Sequence, residues 1–400
     1  TEPISIAYCA AKVRSVLNDI PDKVIIEVSG NILKNVKSVI IPNTNGLKGI
    51  KAAVALGIIA GNENKALEAI SNISEEKKIE AKNYLDVCDM KVLNTDGSEV
   101  LDIIITAYKN KEYAKVRICR SHTNIVWIEK NGEVLYQHND SDLNEFQNTN
   151  RNLLSVEKII EFADSVYIQD VEEIIMRQIQ YNSNISNEGI KNDWGANIGS
   201  VLLKVYGDDI KNRAKAAAAA GSDARMSGCE LPVIINSGSG NQGMTCSLPV
   251  IEYSRELGST KDELIRALVV SNLITIHLKT GIGRLSAYCG AISAGAGAGA
   301  GIAYILGGGY EEVSHTIVNA LAITSGIICD GAKPSCAGKI AAAVDAGILG
   351  YYMYKQGQQF RRGDGIITAG VENTIHNINR LGHDGMKETD KEIISIMLEN

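Results

Sequence analysis

The stretch LSAYCGAISAGAGAGAGIAYIL, residues 285–306, carries no charged side chain and is long enough to span a bilayer. Two readings compete for it. Glycine and alanine dominate, and their small surfaces gain little free energy on leaving water, which weighs against a membrane span. Small residues instead let neighbouring backbones approach closely, so the stretch reads as a tightly packed, buried helix. A helix that is apolar all round needs other helices about it, and this predicts a bundle.

The flanks agree. From residue 153 to 400 the strand signals are gone and the chain reads as successive helices, several of them small and apolar. From 22 to 145 the pattern differs. KVIIEVS (23–29), VKSVIIP (36–42), MKVLNT (90–95), LDIIITAY (101–108), YAKVRICR (113–120), NIVWIEK (124–130) and EVLYQH (133–138) are short and β-branched, with turns such as Asn131-Gly132. Two helical pieces, 47–61 and 64–86, interrupt them, and residues 1–18 read as a further helix able to pack on the helical domain. The polar stretch 139–152 separates the two halves. The expected fold class is α+β: an N-terminal mixed α/β sheet domain, 1–150, then an all-helical domain, 151–400, with buried Gly/Ala-rich central helices.

Composition narrows the function. Of 400 residues, 45% are hydrophobic and 22% charged, as in a soluble globular protein with ample core. A net charge of −7 excludes the basic face that nucleic acid demands. The chain opens Thr1-Glu2-Pro3 without methionine, so the native N-terminus is expected upstream, and a leader is left open. The eight cysteines, Cys9, Cys88, Cys119, Cys229, Cys246, Cys289, Cys329 and Cys336, follow no secreted disulfide spacing.

Three of them have unusual surroundings. Cys289 opens the Gly/Ala helix, Cys329 closes the apolar helix TIVNALAITSGIIC (316–329), and Cys336 follows Pro334-Ser335, residues that start helices. A cysteine in a first helical turn loses its proton more readily. Gly331 and Pro334 let the chain turn back so that both thiolates face one point. Three thiolates suit three corners of an iron–sulfur cube; three buried small residues are the plain alternative.

A second feature is SDARMSGCELPVIINSGSGNQGMTCSLPV, residues 222–250. Its Gly-rich turn offers backbone N–H groups and the hydroxyls of Ser237 and Ser239, with Asn241 and Gln242 beside them. That suits a carboxylate or phosphate, and Arg225 adds a bidentate clamp. A close helix crossing would use the same small residues. SGSGNQG is also similar to the loop that cradles pyridoxal phosphate in one class of lyases. The upstream Lys215 reads as an exposed helical residue, which disfavours a Schiff base. In the first half, His122 and Asn124 lie in a strand-end loop, and Asn43 and Thr44 form a similar polar turn. A loop histidine is a solvated residue or an acid–base group.

Taken together, TEPISIAY (1–8), IPNTNGLKGIKAAVALGIIAGN (41–62), HTNIVWIE (122–129), SDARMSG (222–228), LPVIINSGSGNQGMTCSLPV (231–250), RLSAYCGA (284–291) and ICDGAKPSCAGKI (328–340) resemble the L-cysteine desulfidase family, relatives of the iron–sulfur L-serine dehydratases. The resemblance runs essentially end to end. It implies a cytoplasmic lyase that breaks L-cysteine into pyruvate, ammonia and sulfide with a [4Fe–4S] cluster and no pyridoxal phosphate. It implies Cys289, Cys329 and Cys336 as cluster ligands. In that family Gly-Cys precedes the Thr-Glu-Pro, and its cysteine is the implied catalytic thiol; Cys9 does not match that position, and His122 stands in reserve as catalytic residue. The expected substrate residues are Arg225, Ser237, Ser239, Asn241, Gln242, Asn43, Thr44 and Asn124. Two alternatives stay open: the same elimination on L-serine, and a non-catalytic sensor or sulfur-delivery protein. The expected partner is L-cysteine, with no nucleic acid and no membrane, and a homodimer is allowed.

Overall fold

The structure, a computed structural model, describes residues 1–42, 44–95, 97, 99–138, 150–283 and 286–399. Asn43 and the start of the quoted Gly/Ala stretch, Leu285, fall outside the described residues. The chain divides into two compact units. One comprises Thr1–Thr149, Asp330–Ala332 and the segment from Lys391; the other comprises Asn150–Cys329 and Lys333–Asp390.

The first unit is built on a six-stranded mixed sheet. Its elements are α1 (Glu2–Leu17), β1 (Lys23–Val28), α2 (Gly30–Val36), α3 (Gly49–Ala60), α4 (Glu75–Val87), β2 (Asp89–Asn94), β3 (Asp102–Lys109), β4 (Glu112–Cys119), β5 (Ile125–Lys130) and β6 (Glu133–Gln137). The strand order is β2-β1-β3-β4-β5-β6. The β1–β2 pair is parallel and the remaining pairs are antiparallel. Alternation along β1 buries Val24, Ile26 and Val28, and the same sheet face covers itself with α1 and α3. Asn131 and Gly132 both take positive φ, 52° and 86°, which is the two-residue turn that the strand twist favours.

Two expectations fail here. VKSVIIP is not a strand: the chain is helical to Val36, and Ile40 makes only an isolated bridge to Lys48. Ile32, Leu33 and Val36 recur at helical spacing and are all buried, so the periodicity of three to four overrides β-branching. The single helix expected over 64–86 is a short 3-10 turn, Ala66–Glu68, followed by α4, which starts where the Ser74 hydroxyl accepts from the Lys77 N–H.

The second unit is helical: α5 (Val156–Ser165), α6 (Ile168–Lys191), α7 (Ile198–Tyr206), α8 (Ile210–Met226), α9 (Gly240–Leu257), α10 (Lys261–Thr280), α11 (Gly290–Ile305), α12 (Tyr310–Thr324), α13 (Ser335–Lys355) and α14 (Val371–Arg380). The last helix, α15 (Lys387–Glu399), begins in this unit. The Gly/Ala stretch becomes α11, packed against α9, α10, α12 and α13. A β-carbon on Gly295 would lie 2.4 Å from the Ala343 carbonyl oxygen, and one on Gly297 would lie 2.1 Å from Thr275 Oγ1. Glycine on both faces is therefore what lets α10 and α13 close on α11 together. Among the described residues no helix is long and apolar enough to cross a membrane.

Candidate active site

The second unit gathers the three singled-out cysteines. Tyr288 and Ile328 form an isolated antiparallel bridge, with Cys289 N–H donating to the Ile327 carbonyl at 3.2 Å and Cys329 N–H to the Ala287 carbonyl at 2.6 Å. Residues alternate across such a ribbon, so the side chains of Cys289 and Cys329 share one face as diagonal neighbours. Beneath it, Tyr288 is fully buried, its hydroxyl 3.0 Å from Ser325 Oγ. Lys339 Nζ donates to the Ile328 carbonyl at 3.0 Å and fastens the outer strand.

Cys289 is the N-cap of α11, and Cys336 lies in the first turn of α13 after Pro334. Cys329 does not close a helix as expected: α12 ends at Thr324, and the bridge takes the chain onward in extended form. A helical Cys329 could not have met the α11 N-terminus this way.

The three thiols feel one another. The Cys289 thiol is held well above its ordinary pKa, first by its hydrogen bond with Cys329, then by burial and by the further charge of Cys329 and Cys336, while the Ala291 N–H favours the thiolate. Among the described residues no three His, Cys, Asp or Glu side chains stand close enough to hold a metal ion together. All three thiols are soft sulfur donors, the ligand type that iron–sulfur centres use. None of the eight cysteines is in a disulfide.

Beside it stands the polar turn. Asn236 and Ser239 pair across Ser237 and Gly238, whose φ values of 48° and 82° make another hairpin-type turn. Serine rarely accepts such a φ, and strain of this kind is held only where surroundings over-determine it. They do so here: Ser237 Oγ donates to Asn236 Oδ1 at 2.9 Å, and Asn236 Nδ2 donates to Asn272 Oδ1 at 2.9 Å. Asn272 in turn exchanges carboxamide hydrogen bonds of 2.8 and 3.0 Å with Gln178 of α6.

From this turn α9 starts. Ser239 is its N-cap and accepts from the Gln242 N–H. Arg225, in the last turn of α8, donates to Asn241 Oδ1 at 3.2 Å and lies against Gly240, where a β-carbon would come within 2.5 Å of its Nε. Gln242 reaches the other way. A β-carbon on Gly290 would lie 2.6 Å from its Cδ, so its carboxamide touches the residue next to Cys289. Arg225, Ser237, Ser239, Asn241 and Gln242 are thus one cluster, and Gln242 extends it to the residue after Cys289. Lys215 is only half-buried rather than fully exposed, and its Nζ is 2.8 Å from Asp345 of α13.

The remaining candidates lie in the first unit. Thr44 is buried, with its hydroxyl donating to the Ile41 carbonyl at 2.5 Å, and Asn124 Nδ2 donates to the Cys119 carbonyl at 3.0 Å. Both side chains hold their own turns. His122 is positioned by the Ser5 hydroxyl, which donates to its carbonyl at 2.6 Å. Its Nε2 is buried without a hydrogen-bond partner, and Glu2 Oε1 is 3.8 Å away.

Two groups escaped the sequence reading. The Gln178–Asn272–Asn236 chain carried a weak signal, polar residues at apolar helical positions, but its members are far apart in sequence. Asp223, in the quoted SDARMSG, is fully buried and accepts from the Gly199 N–H at 3.1 Å at the start of α7. Burial pushes its carboxyl up to about 6 against the pull of the N–H groups of Gly199, Ile198 and Ala196, and its Oδ1 has no hydrogen-bond partner.

The serine dehydratase alpha chain family matches residues 64–395. The chain belongs to that family. That family is of the iron–sulfur dehydratase type, a class of lyase. It is 66% identical over 398 residues to a UPF0597 protein of Desulfitobacterium hafniense, covering 100% of this chain and 93% of that one. It is 51% identical over 400 residues to a UPF0597 protein of Lachnoclostridium phytofermentans, at 100% and 95% coverage. A UPF0597 protein of Finegoldia magna is 48% identical over 401 residues, at 100% and 95%.

Proposed function

We propose that the protein is an iron–sulfur lyase that eliminates the β-substituent of a small L-amino acid, L-cysteine first among them, releasing sulfide, pyruvate and ammonia. The observation that carries this reading is the meeting of Cys289 and Cys329 across the Tyr288–Ile328 bridge, with Cys336 in their electrostatic reach. Cys289, Cys329 and Cys336 would hold a [4Fe–4S] cluster. When bound, it supplies a Lewis-acidic iron that no cysteine of the set occupies, suited to a soft leaving group.

The chain's own residues do the rest. The α9 N-terminus and Arg225 attract a carboxylate, because the first N–H groups of a helix and a guanidinium favour the same charge. The rigid Asn236–Ser239 turn keeps those N–H groups aimed without reorganisation. A polar cradle of this kind supports an enzyme over a sensor, which needs none.

Cysteine over serine is supported by the end-to-end sequence resemblance; the family match supports elimination from an amino acid. Anaerobic purification, iron and sulfide counts, and parallel assays of sulfide and pyruvate release on L-cysteine and L-serine test the reading. Sulfide release from cysteine that outpaces pyruvate release from serine is expected. A colourless, fully active protein would end it.

A further inference from the structure

We infer that Gln242 receives the α-ammonium group of the amino acid, an assignment that rests on the elimination reading above. Gln242 is 6% exposed, and its Oε1 is buried without a hydrogen-bond partner. An unpaired buried acceptor costs free energy unless something completes it. Its backbone N–H is already used by Ser239 Oγ at 3.4 Å, so the residue is fixed at the start of α9 while its carboxamide ends against Gly290.

The chemistry of the missing partner follows from the atom. A carboxamide oxygen only accepts. A substrate carboxylate also only accepts, so it does not complete it. A donor is required, and the donor an amino acid brings is its ammonium, with three N–H groups. Ser293 stands three residues beyond Gly290, on the same face of α11; it is fully buried, and its hydroxyl also lacks a partner. The carboxylate goes to Arg225 and the α9 N–H groups, the ammonium to Gln242, and the β-substituent to the thiol side. A ligand with carboxylate and β-substituent but no ammonium loses one of three anchors.

The test compares ligands that differ only in that group: L-serine with 3-hydroxypropionate, and L-cysteine with 3-mercaptopropionate. Binding is measured by calorimetry under anaerobic conditions, on the iron-loaded and the iron-free protein. The wild type is expected to prefer each amino acid by about tenfold or more, the value of a hydrogen bond to a charged group. Gln242→Met should abolish that preference, leave the affinity for the two ammonium-free acids within about twofold, and leave iron content unchanged. Gln242→Glu, which keeps an acceptor there, should keep the preference. Equal loss for all ligands in Gln242→Met, an intact preference in that variant, or no preference in the wild type would overturn the assignment. Turnover is read separately. If neither amino acid is consumed yet the preference depends on Gln242, the elimination reading fails and the ammonium site stands. If turnover proceeds and Gln242→Met leaves the preference intact, the reverse holds.

Discussion

Gly299 of α11 and Gly347 of α13 meet backbone to backbone: a β-carbon on Gly299 would lie 2.8 Å from both the Cα and the carbonyl oxygen of Gly347. No flexible side chain is there to yield, so the helices themselves would have to part. Gly299→Ala is expected to cost about 1–3 kcal/mol, the usual range for overpacking, despite the better helix propensity of alanine. Urea unfolding of the two proteins measures it. An unchanged midpoint would mean that α11 is less tightly held than the structure shows.

The cysteine set makes the sharpest chemical prediction. Cys329→Ser and Cys336→Ser should each lose bound iron and activity, because each removes one soft ligand of three. Cys88, half-buried at the end of α4 with its thiol raised first by burial, belongs to the first unit. Cys88→Ser should retain full iron. Iron and acid-labile sulfide analysis of anaerobic preparations decides the matter.

Ser239 has two tasks that can be separated. As N-cap of α9 its loss in Ser239→Ala should lower stability by about 1 kcal/mol. Ser239→Asp restores the cap, because aspartate caps as well as serine, yet it brings a negative charge to the place assigned to a carboxylate. Stability should therefore recover while KM rises further than in Ser239→Ala. A KM that recovers along with stability would remove the α9 N-terminus from substrate binding.

Asp223 gives the fold a pH dependence of known sign. Its carboxyl, ordinarily near 3.8, is raised to about 6 chiefly by burial, so the folded state holds its proton more tightly than the unfolded chain. This contribution is fully present below the unfolded pKa and is lost as pH rises through about 6, amounting to roughly 3 kcal/mol over the whole interval. Asp223→Asn keeps an acceptor for the Gly199 N–H but has no proton to lose. Its stability relative to the wild type should climb between pH 4 and pH 7, as read from thermal unfolding across that range. Parallel curves would mean that Asp223 does not titrate in this window.

His122 is expected to orient rather than to transfer protons. An imidazole that takes protons efficiently is normally aimed by a partner on its ring, and the nearest partner of His122 Nε2 is Glu2 at 3.8 Å. His122→Ala should lower kcat by no more than about tenfold with iron unchanged. A drop of a hundredfold or more, in the range of general acid–base catalysis, would give it the proton.

How much of this was legible beforehand varies with the reach of each interaction. The α+β division, the Asn131-Gly132 turn and the helix of 290–305 are readable because their causes are local: alternation, a turn dipeptide, and a run of small apolar residues. The strand expected at 36–42 failed because the helical period of Ile32, Leu33 and Val36 carries α2 as far as Val36, and beyond it Ile40 makes only an isolated bridge to Lys48. Within the candidate site, Cys289 and Cys336 were placed at helix starts by their neighbours. Cys329 was misread as helical because nothing local announces a bridge to a segment some 40 residues earlier.

The amino-acid sequence by itself determined which chemistry the chain can carry. It supplies soft thiols beside helix starts, a Gly-Ser turn ahead of a helix, and an arginine near it. Residue type and near neighbours decide these things. Tertiary structure alone decided which of them meet. Thr44 and Asn124 spend their side chains on their own turns; Gln242 reaches from α9 to α11; Asn236 is pinned by Gln178 and Asn272 from two other helices. The physical reason is that a hydrogen bond or a van der Waals contact is satisfied over a few ångströms of space, with no regard to separation along the chain. Only packing converts the one distance into the other. In this protein the glycines of α11 permit that packing, by letting two helices come within contact of its backbone.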